Sequence, residues 1–139
     1  MLTNEIRLKS SRELDLMQEA GRIVADTLAL LKSRVQAGIS TAALNTLAED
    51  FMKQQGAVTS YKEVGFNYGV VCVSINEQIV HGIPGHRVLK DGDLVSLDIA
   101  AIYKGYHADA AVTVGVGALA PRVRHLMETT EQALALGIS

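Results

Sequence analysis

Cysteine is nearly absent from this 139-residue sequence, which contains one, Cys72. A single cysteine cannot form an internal disulfide, so nothing in the sequence indicates an oxidising compartment. Its neighbours in VVCVSI are apolar and alternate as in a β-strand, where a free thiol is most often a small core residue. A place in the lining of a pocket is the alternative interpretation of Cys72.

The sequence also lacks a surplus of charge and any long apolar run. Thirteen basic and fifteen acidic residues give a formal net charge of −2, with neither sign gathered in a block. This argues against nucleic acid and anionic membranes as partners, because both need a clustered basic surface. No apolar run approaches the roughly 18 residues that span a bilayer, and the N-terminal MLTNEIRLKSSRELD lacks the apolar core of a signal peptide. We expect a cytoplasmic protein.

The composition is that of a folded protein. Hydrophobic residues make up 48% of the sequence and charged residues 20%, which is far from the polar composition of a disordered chain. A chain of this length buries roughly two thirds of its unfolded surface. We therefore expect residues 1–139 to form a single domain.

Two helices are predicted in the first part of the chain. Ser10 and Glu13 have the spacing of a capping box, and apolar residues then recur at helical spacing to about Arg34. A second helix is predicted after Ser40, its N-cap, and Gly56 is a natural stop.

From about Tyr61 the apolar period changes to two, which predicts strands until about Gly117, and a last helical pattern begins near Ala120. This order predicts an α+β fold in which two helices cover one face of an antiparallel sheet. Nothing obvious in the sequence covers the other face.

Two aspartates stand out in DGDLVSLDIAAIYKGYHADAAVTVG. Asp98 interrupts an apolar run, where a charge needs a partner. A two-residue turn at Lys104-Gly105 would place Asp98 opposite Ala111 and Asp109 opposite Ala100, so that both carboxylates share one face as diagonal neighbours. Such a pair calls for a divalent cation. A longer loop or a bulge would separate them, and two hydrogen-bonded carboxylates without metal are the alternative.

Three segments, CVSINEQIVHGIPG, VLKDGDLVSLDIA and KGYHADAAVTVGVG, resemble the central block of type I methionine aminopeptidases in order and spacing. The segments AGRIVADTL and AGISTAALNTLAEDFM are also similar to that family, so the resemblance covers essentially the whole chain. It implies the N-terminal half of the pita-bread fold, in which two similar α+β halves enclose a pair of metals. The family pattern GYHGD is GYHAD here, with Ala108, and the family's VKPG is VQAG.

The resemblance implies roles for several side chains. Asp98 and Asp109 match the first two ligands of a pair of divalent metal ions, whether manganese, cobalt, iron or zinc. His81 in VHGIP matches a histidine that contacts the substrate near the scissile bond, so it is the candidate catalytic residue. The stretch 61–68 falls where the family builds its pocket for the methionine side chain, and with Cys72 it supplies the candidate substrate-binding residues Phe66, Tyr68 and Cys72.

The other histidines are not assigned to chemistry. We place His107 one strand position away from the face of Asp109, so that alternation would turn it away from the metals and make it structural. His86 belongs to a polar loop and His125 to the last helix, and neither has a neighbour that suggests a reaction.

The resemblance also implies that the site is incomplete. In the family, a second half supplies a histidine and two glutamates, one of which acts as general acid and base, and none has a counterpart here. We expect an isolated monomer to be inactive on N-terminal methionine peptides unless a complementary half completes the site. The alternative is a catalytically silent half-domain that homodimerises through the uncovered sheet face, driven by apolar strand residues, namely Val71, Val73, Ile75, Leu97 and Ile99.

Overall fold

The two N-terminal helices begin at the residues that their capping signals predict. In the computed structural model, which describes residues 8–65 and 68–139, α1 spans Ser11–Arg34. The Ser10 side chain accepts a hydrogen bond from the Glu13 amide, and the Glu13 carboxylate accepts one from the Ser10 amide. Helix α2 spans Thr41–Gln54, with Ser40 as its N-cap. The predicted capping box and both helices are confirmed.

Four strands form one antiparallel sheet. They are β1 (Val58–Thr59), β2 (Cys72–Ile75), β3 (Leu94–Tyr103) and β4 (Tyr106–Gly115). Strand β4 pairs with β3 along its whole length, so β1 and β2 share the opposite edge of β3. A 3-10 turn at Tyr61–Val64 follows β1, and helix α3 spans Pro121–Ile138. The predicted α+β class and antiparallel sheet are confirmed.

The core lies between the helices and one face of the sheet. Alternate residues of β3 point into it, since Val95, Leu97, Ile99 and Ala101 are fully buried and belong to the same apolar cluster as Ile23, Leu31 and Leu44 of the helices. Alternation then directs Ser96, Asp98 and Ala100 to the other face. We call that second face the open face.

The open face does not carry the apolar strand residues that we expected to find uncovered. The five apolar residues expected to drive homodimerisation are at most 1% exposed and all belong to the helix-side core, so this rationale for a homodimer is wrong. The register places small and polar side chains on the open face instead, namely Ser96, Asp98, Ala100, Asp109, Ala111 and Thr113. The open face is also partly covered, since Cys72 and Ser74 of β2 are buried outside the helix-side cluster.

The segment between β2 and β3 is a long loop, not the series of strands that its period predicts. Its only pairing in the described part of the chain is an isolated bridge between Val88 and Ser40. The first turn of α2 anchors it, because the Thr41 amide donates to the Arg87 carbonyl and the Ala42 amide to the Gly85 carbonyl, each at 2.9 Å. The part of this loop that follows His81 is therefore held against the start of α2.

Helix α3 has little to pack against. All of its residues are at least partly exposed, including the large apolar side chains Leu126, Leu134, Leu136 and Ile138, which are 60 to 77% exposed. Even so, no helix among the described residues is long and apolar enough to cross a membrane.

Candidate metal centre

A tight hairpin brings the two aspartates together. The two residues that join β3 to β4, Lys104 and Gly105, have φ angles of +48° and +84°, which is typical of a type I′ turn. The turn sets a register in which Asp98 pairs with Ala111 and Ala100 pairs with Asp109. The predicted register is confirmed, and the two carboxylates are diagonal neighbours on the open face.

The two charges affect each other. Burial raises the pKa of the Asp98 carboxyl, and the neighbouring charge of Asp109 raises it further, while hydrogen bonding from Tyr61 and the proximity of His81 lower it. Asp98 is partly buried and Asp109 is exposed. Like charges in this arrangement repel, and a cation placed between them would relieve the repulsion.

Cys72 lies directly beside Asp98. The two residues are paired across β2 and β3, so their side chains share the open face. Cys72 is 1% exposed, and burial raises the pKa of its thiol, with the charges of Asp98 and Asp109 adding to the effect and a hydrogen bond with Tyr61 opposing it. Cys72 is therefore a buried residue, as the simpler interpretation held, but it is buried beside Asp98 and not in the helix-side core.

Tyr61 is the residue of this centre that sequence reasoning did not single out. Its hydroxyl donates a 2.8 Å hydrogen bond to the backbone carbonyl of Asp98. Burial raises the pKa of the Tyr61 phenol, and the neighbouring Cys72, Asp98 and Asp109 raise it further. The residue begins the stretch 61–68 that was linked to the substrate pocket, but no periodicity distinguishes it from Tyr68.

The loop after β2 carries His81 to the same side of the sheet. Gly82 packs so closely on the backbone of β2 that no side chain would fit there, because an added Cβ would lie 2.7 Å from the Val73 carbonyl carbon. The Gly82 carbonyl accepts a hydrogen bond from the Val73 amide, and its amide donates to the Ser74 hydroxyl. The histidine itself is exposed and is close enough to Asp98 to lower the pKa of that carboxyl.

His107 is not on the face predicted for it. Residues 107 and 109 are two positions apart on β4, so their side chains share a face, and the register pairs His107 with Ile102 of the open face. The prediction that alternation turns His107 away was therefore wrong. The imidazole is exposed, and its Nε2 lies 3.7 Å from a carboxylate oxygen of Glu63.

The remaining candidates are exposed or lie outside the described residues. Tyr68 is 64% exposed, and Phe66 lies outside the described residues. His86 in the loop and His125 on α3 are both exposed. Asp98, Asp109, Cys72, Tyr61 and His81 thus make up the centre.

Comparison with known proteins identifies the family. Residues 15–139 match the family described as metallopeptidase family M24. The chain belongs to this family. The proteins and solved structures similar to it include methionine aminopeptidases and an Xaa-Pro dipeptidase.

The similarity to the methionine aminopeptidases extends over nearly the whole chain. It is 51% identical over 130 residues to methionine aminopeptidase 1 of Bacillus subtilis, covering 94% of this chain and 52% of that protein. The crystal structure of methionine aminopeptidase from Thermotoga maritima superposes with a TM-score of 0.89 at 35% identity, covering 94% of this chain and 53% of the other. An Xaa-Pro dipeptidase from Bacillus anthracis gives a TM-score of 0.71 at 28% identity, covering 85% and 32%.

This M24 chain therefore spans about half the length of the methionine aminopeptidases that it matches. It is a homologue that covers roughly their N-terminal half, and the three helices and four strands of its described residues form part of the pita-bread fold. The fold inferred from the resemblance is confirmed.

The residues of the M24 chain fit part of a divalent metal site. Two carboxylates on one face suit a hard divalent ion, which prefers oxygen ligands. Among residues 8–65 and 68–139, however, no group of three or more His, Cys, Asp and Glu side chains is placed to hold a metal ion. Asp98 and Asp109 can supply some of the ligands of a metal, and further donors are needed to complete its coordination.

Proposed function

We propose that this chain provides the first two metal ligands of a methionine aminopeptidase site, which in the complete family fold removes N-terminal methionine from proteins in a metal-dependent reaction. The observation that carries the proposal is the diagonal pair of Asp98 and Asp109 on the open face. The named relatives at up to 51% identity supply the substrate class. A cytoplasmic location is part of the proposal and rests on the single cysteine.

Each residue of the centre has a proposed role. Asp98 and Asp109 would hold divalent metal, whether manganese, cobalt, iron or zinc, and two ions in a complete site. A bound divalent ion would supply Lewis-acid chemistry at the scissile carbonyl. His81 would contact the substrate near the scissile bond from its anchored loop, while Cys72 and Tyr68 would line the pocket for the methionine side chain.

Charge and coordination argue that the isolated monomer is inactive. Two carboxylates offer two negative charges against the four positive charges of a metal pair, and they leave most coordination positions unfilled. A complementary half with further donors would complete the site. We expect this partner to cover the open face and the exposed apolar residues of α3, such as Leu126 and Leu134.

The second candidate function is a catalytically silent half-domain. In that case two copies would associate through their open faces, bringing together two pairs of Asp98 and Asp109 with a self-complementary interface. The exposed apolar surface of α3 favours some partner. Light scattering separates the cases, because a homodimer would give twice the monomer mass of 14.9 kDa, and metal should stabilise it further.

An activity assay tests the proposal. The purified chain is incubated with a peptide that begins Met-Ala and with added manganese or cobalt, and free methionine is measured. We expect no turnover from a verified monomer and turnover when a complementary half, such as the C-terminal half of a similar methionine aminopeptidase, is added. Turnover by the monomer alone would refute the argument that the site is incomplete, and it would exclude the silent half-domain as well.

Metal binding can be tested separately. Calorimetry with Mn²⁺ should detect binding to the wild-type chain that Asp98→Ala and Asp109→Ala each abolish, because both carboxylates share the ion. Asp26→Ala is the matched control, since Asp26 lies on the exposed side of α1 in an ion pair with Arg22. Unchanged binding in either strand variant would contradict the role of the pair.

A further inference from the structure

The strand edge beside the carboxylate pair is interrupted. Strand β1 pairs with Ala101 and Ile102 of β3, whereas β2 pairs with β3 only as far as Asp98. Among the described residues, Ile99 and Ala100 therefore have no strand partner on that edge. Buried backbone groups are almost always hydrogen-bonded, so the interruption requires hydrogen-bond donors from outside the ladder.

Three consecutive residues, Thr59, Ser60 and Tyr61, fill the interruption, and we call them the edge clasp. The Ser60 amide and the Thr59 hydroxyl donate to the Ala100 carbonyl at 3.1 and 3.4 Å. The Tyr61 hydroxyl donates to the Asp98 carbonyl at 2.8 Å. The Tyr61 amide donates to the Thr59 hydroxyl at 3.2 Å, so the buried threonine connects the two ends of the edge clasp.

The two carbonyls held by the edge clasp belong to the residues that position the carboxylates. One is that of Asp98 itself, and the other is that of Ala100, which pairs with Asp109. A metal ligand is effective only when its own position is fixed by surrounding contacts. The edge clasp contacts the backbone from the side where the ladder is missing, at the place where β3 would otherwise be least constrained.

We propose that Tyr61 is a positioning residue for the carboxylate pair, its hydroxyl fixing the Asp98 peptide so that Asp98 and Asp109 can bind one divalent cation together. The inference rests on the proposed function, because the cation is the metal of that site. Tyr61 acts through Asp98 and is not itself a ligand.

The test is Tyr61→Phe, which keeps the ring and removes the hydroxyl. Calorimetry should show Mn²⁺ affinity about tenfold weaker than that of the wild-type chain, the usual effect of losing a contact that supports a ligand. Amide hydrogen exchange at Ile99 and Ala100 should be about fivefold faster, as expected for the loss of one hydrogen bond. Thr59→Ser, which keeps the hydroxyl of the edge clasp, should retain wild-type values.

Tyr106→Phe is the matched control, because it removes a tyrosine hydroxyl that donates to Glu13 at 3.2 Å on the helix side of the sheet. It should leave Mn²⁺ affinity unchanged. If Tyr61→Phe lowers the stability but leaves both the Mn²⁺ affinity and the local exchange unchanged, the hydroxyl is merely structural and the inference is overturned.

The two proposals can fail independently. If the wild-type chain binds no Mn²⁺, the proposed metal site fails, and hydrogen exchange alone then decides the role of Tyr61. Faster exchange at Ile99 and Ala100 in Tyr61→Phe would support the positioning role, and unchanged exchange would overturn it.

Discussion

Replacing Asp98 by asparagine should stabilise the chain in the absence of metal. Burial and the charge of Asp109 both raise the pKa of the Asp98 carboxyl, which means that the folded chain disfavours the ionised side chain. Asparagine has nearly the same shape and no charge. The substitution therefore removes the repulsion and part of the desolvation penalty, while the Tyr61 bond to the Asp98 backbone carbonyl is retained.

The size of the effect follows from the register. Diagonal cross-strand neighbours have Cα atoms about 7 to 8 Å apart, and two unit charges at about 7 Å interact by about 0.6 kcal/mol in water and about 2.4 kcal/mol at an effective dielectric constant of 20. Asp109 is exposed, which favours the lower part of that range. We expect Asp98→Asn to raise the free energy of unfolding by about 1 kcal/mol, or the Tm by roughly 3 to 4 °C.

The assay is thermal and urea unfolding in EDTA, with Asp93→Asn as the matched control. Asp93 accepts hydrogen bonds from the Asn76 side chain and the Lys90 amide, and these lower the pKa of its carboxyl. Its substitution should therefore destabilise the chain, opposite in sign to that of Asp98. A loss of stability in Asp98→Asn would refute the reasoning, since it would mean that Asp98 is a satisfied structural carboxylate.

Two further predictions concern the loop anchor and acid stability. Gly82→Ala should lower the free energy of unfolding, measured in urea, by about 1 to 3 kcal/mol, because the new Cβ would lie 2.8 Å from Ser74 Cα. The control is Gly21→Ala in α1, where a Cβ meets nothing within 4 Å. It should raise the free energy of unfolding by about 0.5 to 1 kcal/mol. An unchanged midpoint for Gly82→Ala would contradict the close packing of the loop on β2. The stability that Asp93 contributes should be present above its unfolded pKa, near 4, and should be lost as the pH falls through its lower folded pKa. The difference in Tm between wild type and Asp93→Asn should therefore shrink as the pH falls below the unfolded pKa, and a difference that does not change with pH would exclude this origin.

Local signals predicted the elements that local chemistry determines. The ends of α1 follow from the Ser10 and Glu13 capping box and from helical spacing up to Arg34. The register of β3 and β4 follows from the two-residue turn, since Lys104 and Gly105 both adopt the positive φ of a type I′ turn. Because the aspartates lie on the two strands of this one hairpin, their pairing could be inferred from sequence as well.

The parts that sequence reasoning missed depend on contacts between distant residues. The bond from Tyr61 to Asp98 spans 37 positions, and the bond from the Thr41 hydroxyl to the Gly85 carbonyl spans 44. Neither contact leaves a periodic pattern, so the edge clasp and the anchored loop could not be predicted. The error on His107 was of another kind, because strand alternation alone places residues 107 and 109 on the same face.

The sheet geometry also shows where the departure from the GYHGD pattern lies. Ala108 pairs with Ala101, and it packs against the helix-side core, not beside the carboxylates. Side chains alternate along β4, so a methyl group at position 108 extends away from the face that carries Asp109. The added methyl therefore affects the packing under α1 and leaves the space around the two aspartates unchanged, whereas a substitution at Ala111, which is paired with Asp98, would alter that space.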